Sequence, residues 1–268
     1  MLGAIIGDIA GSQYEFNNHK SKEFDMFSDK TRYTDDSVMT LAVANTILIA
    51  DESNENKYDS LKNNIALVLR TYGRDNIRAG YGGKFKKWIL TDNMGPYNSW
   101  GNGAAMRISP VGWAGKDLDD VKTMSKIVTE VTHNHPEGIK AAEAVSTTIF
   151  LARNGATMEQ LKRWVGTYYT IDFTLDEIRP TYKFEVSCMK SVPQAFESFF
   201  ESNSFEDTIR NAVSIGGDSD TIACIAGGIA EAYYGVPDWM KEKALSYFNK
   251  NYQDFINYFE DRYTKSVI

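Results

Sequence analysis

Two short clusters of threonine and aspartate have the residue types best suited to chemistry in this sequence. The first is YTDDS at 33–37, the second is IGGDSDT at 215–221, and an apolar run follows each of them. Together they offer six oxygen-bearing side chains: Thr34, Asp35, Asp36, Asp218, Asp220 and Thr221. Carboxylate and hydroxyl oxygens are the ligands that Mg²⁺, Mn²⁺ and Ca²⁺ prefer. Because neighbouring carboxylates need cations between them to remain charged, the two clusters predict a pair of bound metals.

Each cluster taken alone also fits the start of a helix, where acidic side chains interact favourably with the helix dipole. In a continuous helix Asp218 and Asp220 would point to different faces. We therefore expect this pair to precede a helix that begins at Thr221 and ends at Gly235, and the first cluster to precede a helix at about 38–50. Helix capping and cation binding are both compatible with this placement.

The composition is that of an ordinary globular protein. The chain has 268 residues, of which 43% are hydrophobic and 24% charged, and its formal net charge is −7. This charge argues against non-specific nucleic-acid binding. No apolar run approaches the roughly 20 residues of a membrane span, and no signal peptide is recognisable, so we expect a monomeric cytoplasmic protein without a membrane partner. Cys188 and Cys224 have no zinc-site or C-x-x-C spacing.

Most of the chain carries the helical period of apolar residues, and little of it alternates as strands do. The clearest amphipathic segments are YDSLKNNIALVLRTYG, DLDDVKTMSKIVTEV, EGIKAAEAVSTTIFLARNG, TMEQLKRWVGTYY, SFEDTIRNAVSI and VPDWMKEKALSYF, followed by an aromatic-rich stretch near 254–263. The segment 170–187 is compatible with short strands or with an ordered loop. The pattern predicts an all-α fold, a single compact orthogonal multi-helix domain over 1–268, with the metal site at the ends of helices.

Three competing motifs are excluded by spacing. An EF-hand loop starting at Asp218 would need glycine at its sixth position, where Ala223 stands. No glycine-rich stretch leads into Gly-Lys-Ser/Thr, so a P-loop is absent. The stretch GNGAAM lacks the last glycine of a dinucleotide-binding fingerprint.

Six stretches read in order resemble the ADP-ribosylglycohydrolase family, and they extend from residue 3 to about residue 235. They are GAIIGDIAGSQYEF, YTDDS, AGYGG, SWGNGAAMRISPVG, THNHPEG and IGGDSDTIACIAGGIAEAYYG. Each stretch is weak alone, whereas the combination is specific. The resemblance implies an all-α enzyme that cleaves the N- or O-glycosidic bond at the anomeric carbon of ADP-ribose with two Mg²⁺, or Mn²⁺, ions.

The resemblance also implies roles for individual residues. The six threonine and aspartate side chains match the family's two groups of metal ligands. Glu15, in SQYEF, matches a family glutamate on a loop beside the metals, which is associated with catalysis and with opening and closing of the site. We expect Glu15, or the ligand Asp35, to take the proton of the attacking water.

Glycine-flanked residues are the expected substrate contacts. Asn102, between Gly101 and Gly103, matches the family's substrate-binding loop, and a tight turn is the alternative. Backbone N–H groups at glycines approach phosphate oxygens closely, so a second set is expected to act from the other side: Gly216, Gly217 and Ser219.

Other candidates in the loops are less specific. His133 corresponds to the family histidine near the bound nucleotide, with His135 as the alternative. Asp75 is a candidate acid near the leaving group. Met106 and Arg107 are interpreted as packing and a salt bridge.

The predicted function is that of a metal-dependent ADP-ribosyl hydrolase. Its expected partner is a protein ADP-ribosylated on arginine or serine, or a small ADP-ribose conjugate. The alternatives are a protein that binds ADP-ribose without cleaving it, a crystallin-like structural relative, and a different binuclear hydrolase such as a phosphoesterase.

Overall fold

The computed structural model describes residues 1–264, which fold into fifteen helices and contain no regular strand. The last four residues of the predicted domain, 265–268, lie outside the described part. A single isolated antiparallel bridge joins Gly101 to Ser187 within it. The helices are α1 Leu2–Gly11, α2 Asp35–Glu52, α3 Lys57–Asp75, α4 Gly83–Leu90, α5 Gly103–Met106, α6 Ser109–Ala114, α7 Leu118–Glu130, α8 Pro136–Arg153, α9 Met158–Val165, α10 Leu175–Ile178, α11 Cys188–Phe200, α12 Phe205–Ser214, α13 Ser219–Tyr234, α14 Asp238–Leu245 and α15 Lys250–Tyr263.

Helices α1 and α13 form the centre of the molecule. Every residue of α1 is buried, as expected for a helix that is apolar on all sides. A Cβ added to Gly7 would lie 2.0 Å from the carbonyl oxygen of Ala223, and one added to Gly11 would lie 2.5 Å from Cα of Asp220. The two backbones are therefore in contact, which only glycine permits. This contact brings the end of α1 to the start of α13.

Both acidic clusters lie at helix starts, as predicted, but the helices begin earlier than expected. Helix α2 starts at Asp35 rather than near residue 38, and α13 starts at Ser219 rather than at Thr221. Thr34 caps α2 by accepting a hydrogen bond from the Asp36 N–H at 3.4 Å. The first turn tolerates acidic side chains because its free N–H groups carry partial positive charge. Helix α13 ends before Gly235, whose φ is 72°, as the sequence predicts.

The all-α prediction is confirmed, and the segment 170–187 contains no strand. It is a loop with one short helix, α10, which begins with a capping box formed by Thr174 and Glu177. Among the described helices, none combines the length and the apolar character needed to cross a membrane.

Candidate functional site

The two acidic clusters meet where α1, α2 and α13 adjoin. Carboxylate oxygens of Asp8, Asp36 and Asp220 lie within 4.8 Å of one another, and those of Glu15, Asp218 and Asp220 form a second such group. Asp220 belongs to both groups, so the two sets of oxygens are neighbours. Two adjacent groups of oxygens are what a pair of hard divalent cations requires.

Asp8 is the acidic residue of this site that the sequence analysis missed. Its Oδ2 accepts hydrogen bonds from the Thr34 N–H at 2.8 Å, from the Ser37 N–H at 3.0 Å and from the Ser37 hydroxyl. Its Oδ1 accepts from the Thr34 hydroxyl at 2.6 Å. Asp8 therefore fixes the first turn of α2 and the orientation of Thr34. The available signal was a lone carboxylate in the otherwise apolar run GAIIGDIAG.

Burial and mutual repulsion make this cluster unfavourable when it is fully charged. Desolvation, together with the neighbouring carboxylates, raises the pKa of Asp36 and Asp220 well above the usual range. Burial and the charge of Asp8 raise the pKa of Asp35 to about 8. Burial and Asp218 raise that of Glu15 to about 7. Bound cations would remove both penalties, because they solvate the carboxylates and cancel their repulsion.

One oxygen in the cluster lacks a partner altogether. Oδ1 of Asp36 is buried and accepts no hydrogen bond from any described residue. Buried carboxylate oxygens are otherwise hydrogen-bonded or bound to metal. The residues present thus fit divalent cations, both in donor chemistry and in this unpaired atom.

A cleft of about 460 Å³ opens beside the carboxylates. Glu15, Asp35, Asp36, Asp218, Asp220 and Thr221 line one wall, and the opposite wall includes Gly101, Asn102, Gly103 and His133. The two walls are in contact, because Nδ2 of Asn102 donates to Oδ2 of Asp218 at 2.7 Å. Thr34 is not among the lining residues and lies just behind them, hydrogen-bonded to Asp8.

Three of the expected substrate contacts lie elsewhere. Gly216, Gly217 and Ser219 are buried and do not line the cleft. Gly216 and Gly217 have φ of 68° and 78°, in the left-handed region that favours glycine. The N–H of Gly217 donates to Oδ1 of Asn18 at 2.8 Å, and Ser219 Oγ donates to the carbonyl of Gly11 at 3.4 Å. Their role in substrate binding stays a prediction.

This glycine turn instead anchors the loop that carries Glu15. Nδ2 of Asn18 donates to the carbonyl of Glu15 at 3.0 Å and to that of Gly217 at 3.2 Å. Lys20 Nζ donates to the carbonyl of Tyr182 at 2.7 Å from the same loop. A Cβ on Gly216 would lie 2.9 Å from Oδ1 of Asn18, so glycine makes room for this contact. The turn before Asp218 therefore holds the Glu15 loop in place.

The remaining candidates, His133, His135 and Asp75, lie at different distances from the carboxylates, and their roles stay predictions. His133 lines the cleft, whereas His135 caps α8 by accepting from the Glu137 N–H at 3.1 Å. Asp75 is exposed at the end of α3, outside the cleft lining.

The predicted salt bridge of Arg107 is wrong. Arg107 is fully buried, and within residues 1–264 no carboxylate is in ion-pair contact with it. It donates instead to the carbonyl of Val128 at 3.3 Å and to the hydroxyl of Thr132 at 2.9 Å.

Comparison with known proteins agrees with this geometry. The model of the ADP-ribosylglycohydrolase family matches residues 1–263. ADP-ribosylhydrolase ARH3 of Homo sapiens is 25% identical, over 92% of this chain and 88% of the relative. ADP-ribosylarginine hydrolase Tri1 of Pseudomonas putida (strain GB-1) is 25% identical, over 92% of this chain and 73% of the relative.

A solved structure extends the likeness to the fold. The structure described as an ADP-ribosylglycohydrolase-related protein complex superposes with a TM-score of 0.65 at 20% identity, covering 92% of this chain and 95% of that one. Both named relatives are ADP-ribosyl hydrolases, so the prediction of a hydrolase of this class is confirmed at the level of the family. Since the match extends over nearly the whole sequence, the chain belongs to the ADP-ribosylglycohydrolase family.

Proposed function

We propose that this protein hydrolyses the glycosidic bond between ADP-ribose and its acceptor, and that the reaction depends on two divalent cations, Mg²⁺ or Mn²⁺. The observation that carries the proposal is the pair of carboxylate groups that share Asp220 on the wall of a cleft. An enzyme that cleaves a sugar bond by metal-assisted attack of water needs such a centre beside a cavity for the substrate.

The proposed ligands are those that the resemblance implies: Thr34, Asp35, Asp36, Asp218, Asp220 and Thr221. When bound, the cations would orient the substrate oxygens, acidify water and stabilise the charge that develops as the bond breaks. Asp8 is not one of the proposed ligands. Its oxygens accept hydrogen bonds from Thr34 and Ser37 and so hold the first ligand cluster in position. Asn102 holds the second cluster in position by donating a hydrogen bond to the carboxylate of Asp218.

Glu15 is the proposed general base, and Asp35 is the second candidate. Glu15 lies on a loop rather than on a helix, partly buried at the edge of the carboxylate cluster. Burial raises the pKa of its carboxyl group, and a raised pKa makes a carboxylate a better proton acceptor. Glycoside cleavage proceeds through an oxocarbenium-like state, so a base that delivers water to the anomeric carbon contributes directly.

The opposite wall is the proposed site for the diphosphate and the adjoining ribose. Gly101 and Gly103 leave the backbone of this loop open to the cleft, and the Asn102 side chain is held away by Asp218. The N–H groups of Gly101 and Asn102 already donate to Ser99 Oγ and to the carbonyl of Val186, so His133 is the donor that suits phosphate oxygens here. The acidic wall would repel those oxygens unless cations lie between. The substrate is therefore expected to bridge the two walls.

The decisive experiment is hydrolysis of defined substrates. Peptides ADP-ribosylated on arginine or on serine are incubated with the protein in Mg²⁺, in Mn²⁺ or in EDTA, and free ADP-ribose is measured by chromatography. We expect release with metal, none with EDTA, and a preference that identifies the acceptor linkage. Binding of ADP-ribose without release from any substrate would favour a non-catalytic binder, and absence of both would favour a structural role.

The expected monomeric state and cytoplasmic location stay predictions. Light scattering of the purified protein tests the first, and fractionation of cells that express it tests the second.

A further inference from the structure

Three buried side chains, Arg107, Thr132 and His133, form a hydrogen-bonded chain in the wall that includes the glycine loop. Nη2 of Arg107 is 2.9 Å from Oγ1 of Thr132, and this oxygen is 2.8 Å from Nδ1 of His133. Arg107 and Thr132 are completely buried, and His133 is 5% exposed, on the side of the cleft. None of the three belongs to the acidic clusters.

The direction of each hydrogen bond follows from the donors available. A guanidinium only donates, so the hydroxyl oxygen of Thr132 accepts from Arg107. The hydroxyl has one hydrogen, and His133 Nδ1 is the only acceptor for it among the described residues. If Nδ1 carried a proton instead, the buried hydroxyl hydrogen of Thr132 would have no acceptor. The arrangement that satisfies the Thr132 hydroxyl and Nδ1 of His133 has Thr132 donating to an unprotonated Nδ1.

The charge of Arg107 also favours an unprotonated Nδ1 on His133. Burial, and then the nearby guanidinium, keep the pKa of His133 well below its usual value. The imidazole is therefore neutral, and a neutral ring whose Nδ1 accepts carries its hydrogen on Nε2.

The other ring nitrogen faces the glycine loop. Nε2 of His133 lies 3.3 Å from the point that a Cβ on Gly103 would occupy and 3.7 Å from the corresponding point on Gly101. No residue of the described chain hydrogen-bonds to Nε2. The N–H is therefore directed at the part of the cleft that the glycines leave open.

We propose that Arg107 and Thr132 are positioning residues that hold His133 as the Nε2–H tautomer, so that it donates one hydrogen bond to an oxygen of a ligand above Gly101 and Gly103. The group recognised is an oxygen acceptor such as a phosphate oxygen, and a cationic group at this point is rejected. Identification of the ligand as ADP-ribose rests on the proposed function, whereas the tautomer does not.

The tautomer is tested by NMR of the ligand-free protein labelled with ¹⁵N-histidine. The sequence has three histidines, so the signals of His133 are assigned by their loss in His133→Gln. We expect long-range ¹H–¹⁵N correlations with a protonated Nε2 and an unprotonated Nδ1. A protonated Nδ1, or an imidazolium at pH 7, would overturn the proposal without any test of activity.

Variants of Thr132 test the role of the chain in binding. Thr132→Val keeps the shape and removes the hydroxyl, so a mixture of tautomers and about tenfold weaker ADP-ribose binding by calorimetry are expected. Thr132→Ser should restore both. Thr129→Val is the matched control, because Thr129 is equally buried on α7 and its hydroxyl has no partner in the described structure.

The outcomes separate this proposal from the proposed function. If the tautomer is as expected but the wild type binds no ADP-ribose, the positioning role stands and the proposed ligand is wrong. If the wild type binds ADP-ribose and Thr132→Val binds it equally well, the positioning role is wrong. A loss of affinity that Thr129→Val shares would also overturn it, since packing alone would then explain the effect.

Discussion

The two walls of the cleft are built on opposite electrostatic principles. On one wall, Asp36 and Asp220 are buried together, and burial and the neighbouring carboxylates raise their pKa values. On the other, Arg107 and His133 contribute a cation and a neutral ring beside the glycine loop. The first wall is complementary to metal ions and the second to oxygen acceptors. The difference indicates how one small cavity could hold both cations and an anionic substrate.

The largest effect is expected from removing the carboxylate that both acidic groups share. Asp220→Asn should abolish Mg²⁺ binding and hydrolysis, because Asp220 supplies oxygens to each group. In the metal-free state at pH 8 the same change should raise the melting temperature, since an amide cannot ionise within the repulsive cluster. Calorimetric titration and thermal unfolding measure the two effects.

A matched control for this prediction is Asp238→Asn. Asp238 also lies at the start of a helix, but its side chain is 92% exposed. Asp238→Asn should therefore change neither Mg²⁺ binding nor turnover. Retention of full activity by Asp220→Asn would remove the acidic wall from the mechanism.

The second largest effect is expected at Glu15. Glu15→Gln should lower kcat by about 10²- to 10⁴-fold, the usual cost of losing a general base, while ADP-ribose and Mg²⁺ affinities change little. Glu23→Gln, at an exposed position on the same loop, is the control. Normal turnover by Glu15→Gln would assign the base role to another group, with Asp35 as the next candidate.

A smaller effect is expected from loosening the loop that carries Glu15. Asn18→Ala removes the hydrogen bonds to the carbonyl of Glu15 and to both backbone groups of Gly217. We expect kcat to fall about tenfold, because a less precisely positioned Glu15 accelerates the reaction less. The Mg²⁺ affinity should be unchanged. Asn17→Ala is the control, because the Asn17 side chain has no hydrogen bond within residues 1–264. Equal rates for Asn17→Ala and Asn18→Ala would argue against this anchor.

The smallest effect concerns the pH dependence of stability. The pKa of Asp35 rises from its ordinary 3.8 to about 8 on folding, so the metal-free fold binds extra protons and loses stability as the pH increases across this interval. Mg²⁺ competes with those protons and should raise the melting temperature more at pH 8 than at pH 5. Each kcal/mol corresponds to roughly 2–4 °C for a chain of this size. Scanning calorimetry that finds the same Mg²⁺ effect at both pH values would contradict this account.

The parts of the site that were predictable are those with local signals. Threonine and aspartate at a helix start, and glycines beside Asn102, are visible in a few consecutive residues. The only local signal for Asp8 is a lone carboxylate in an apolar run, and it does not identify the partners Thr34 and Ser37, which lie 26 and 29 residues further along the chain. The hydrogen bonds between Asn18 and Gly217 were unpredictable for the same reason, since 199 residues separate the two positions.

The pairing of α1 with α13 also determines when the acidic centre is assembled. Ser219 contacts Gly11 across 208 residues of sequence, and contacts at such separation form late because closing the intervening chain costs entropy. During synthesis the first cluster emerges from the ribosome well before the second, and its carboxylates remain hydrated until α13 docks. Metal capture is therefore expected to be one of the last events of folding, and an amino-terminal fragment that ends before residue 218 should retain no cation.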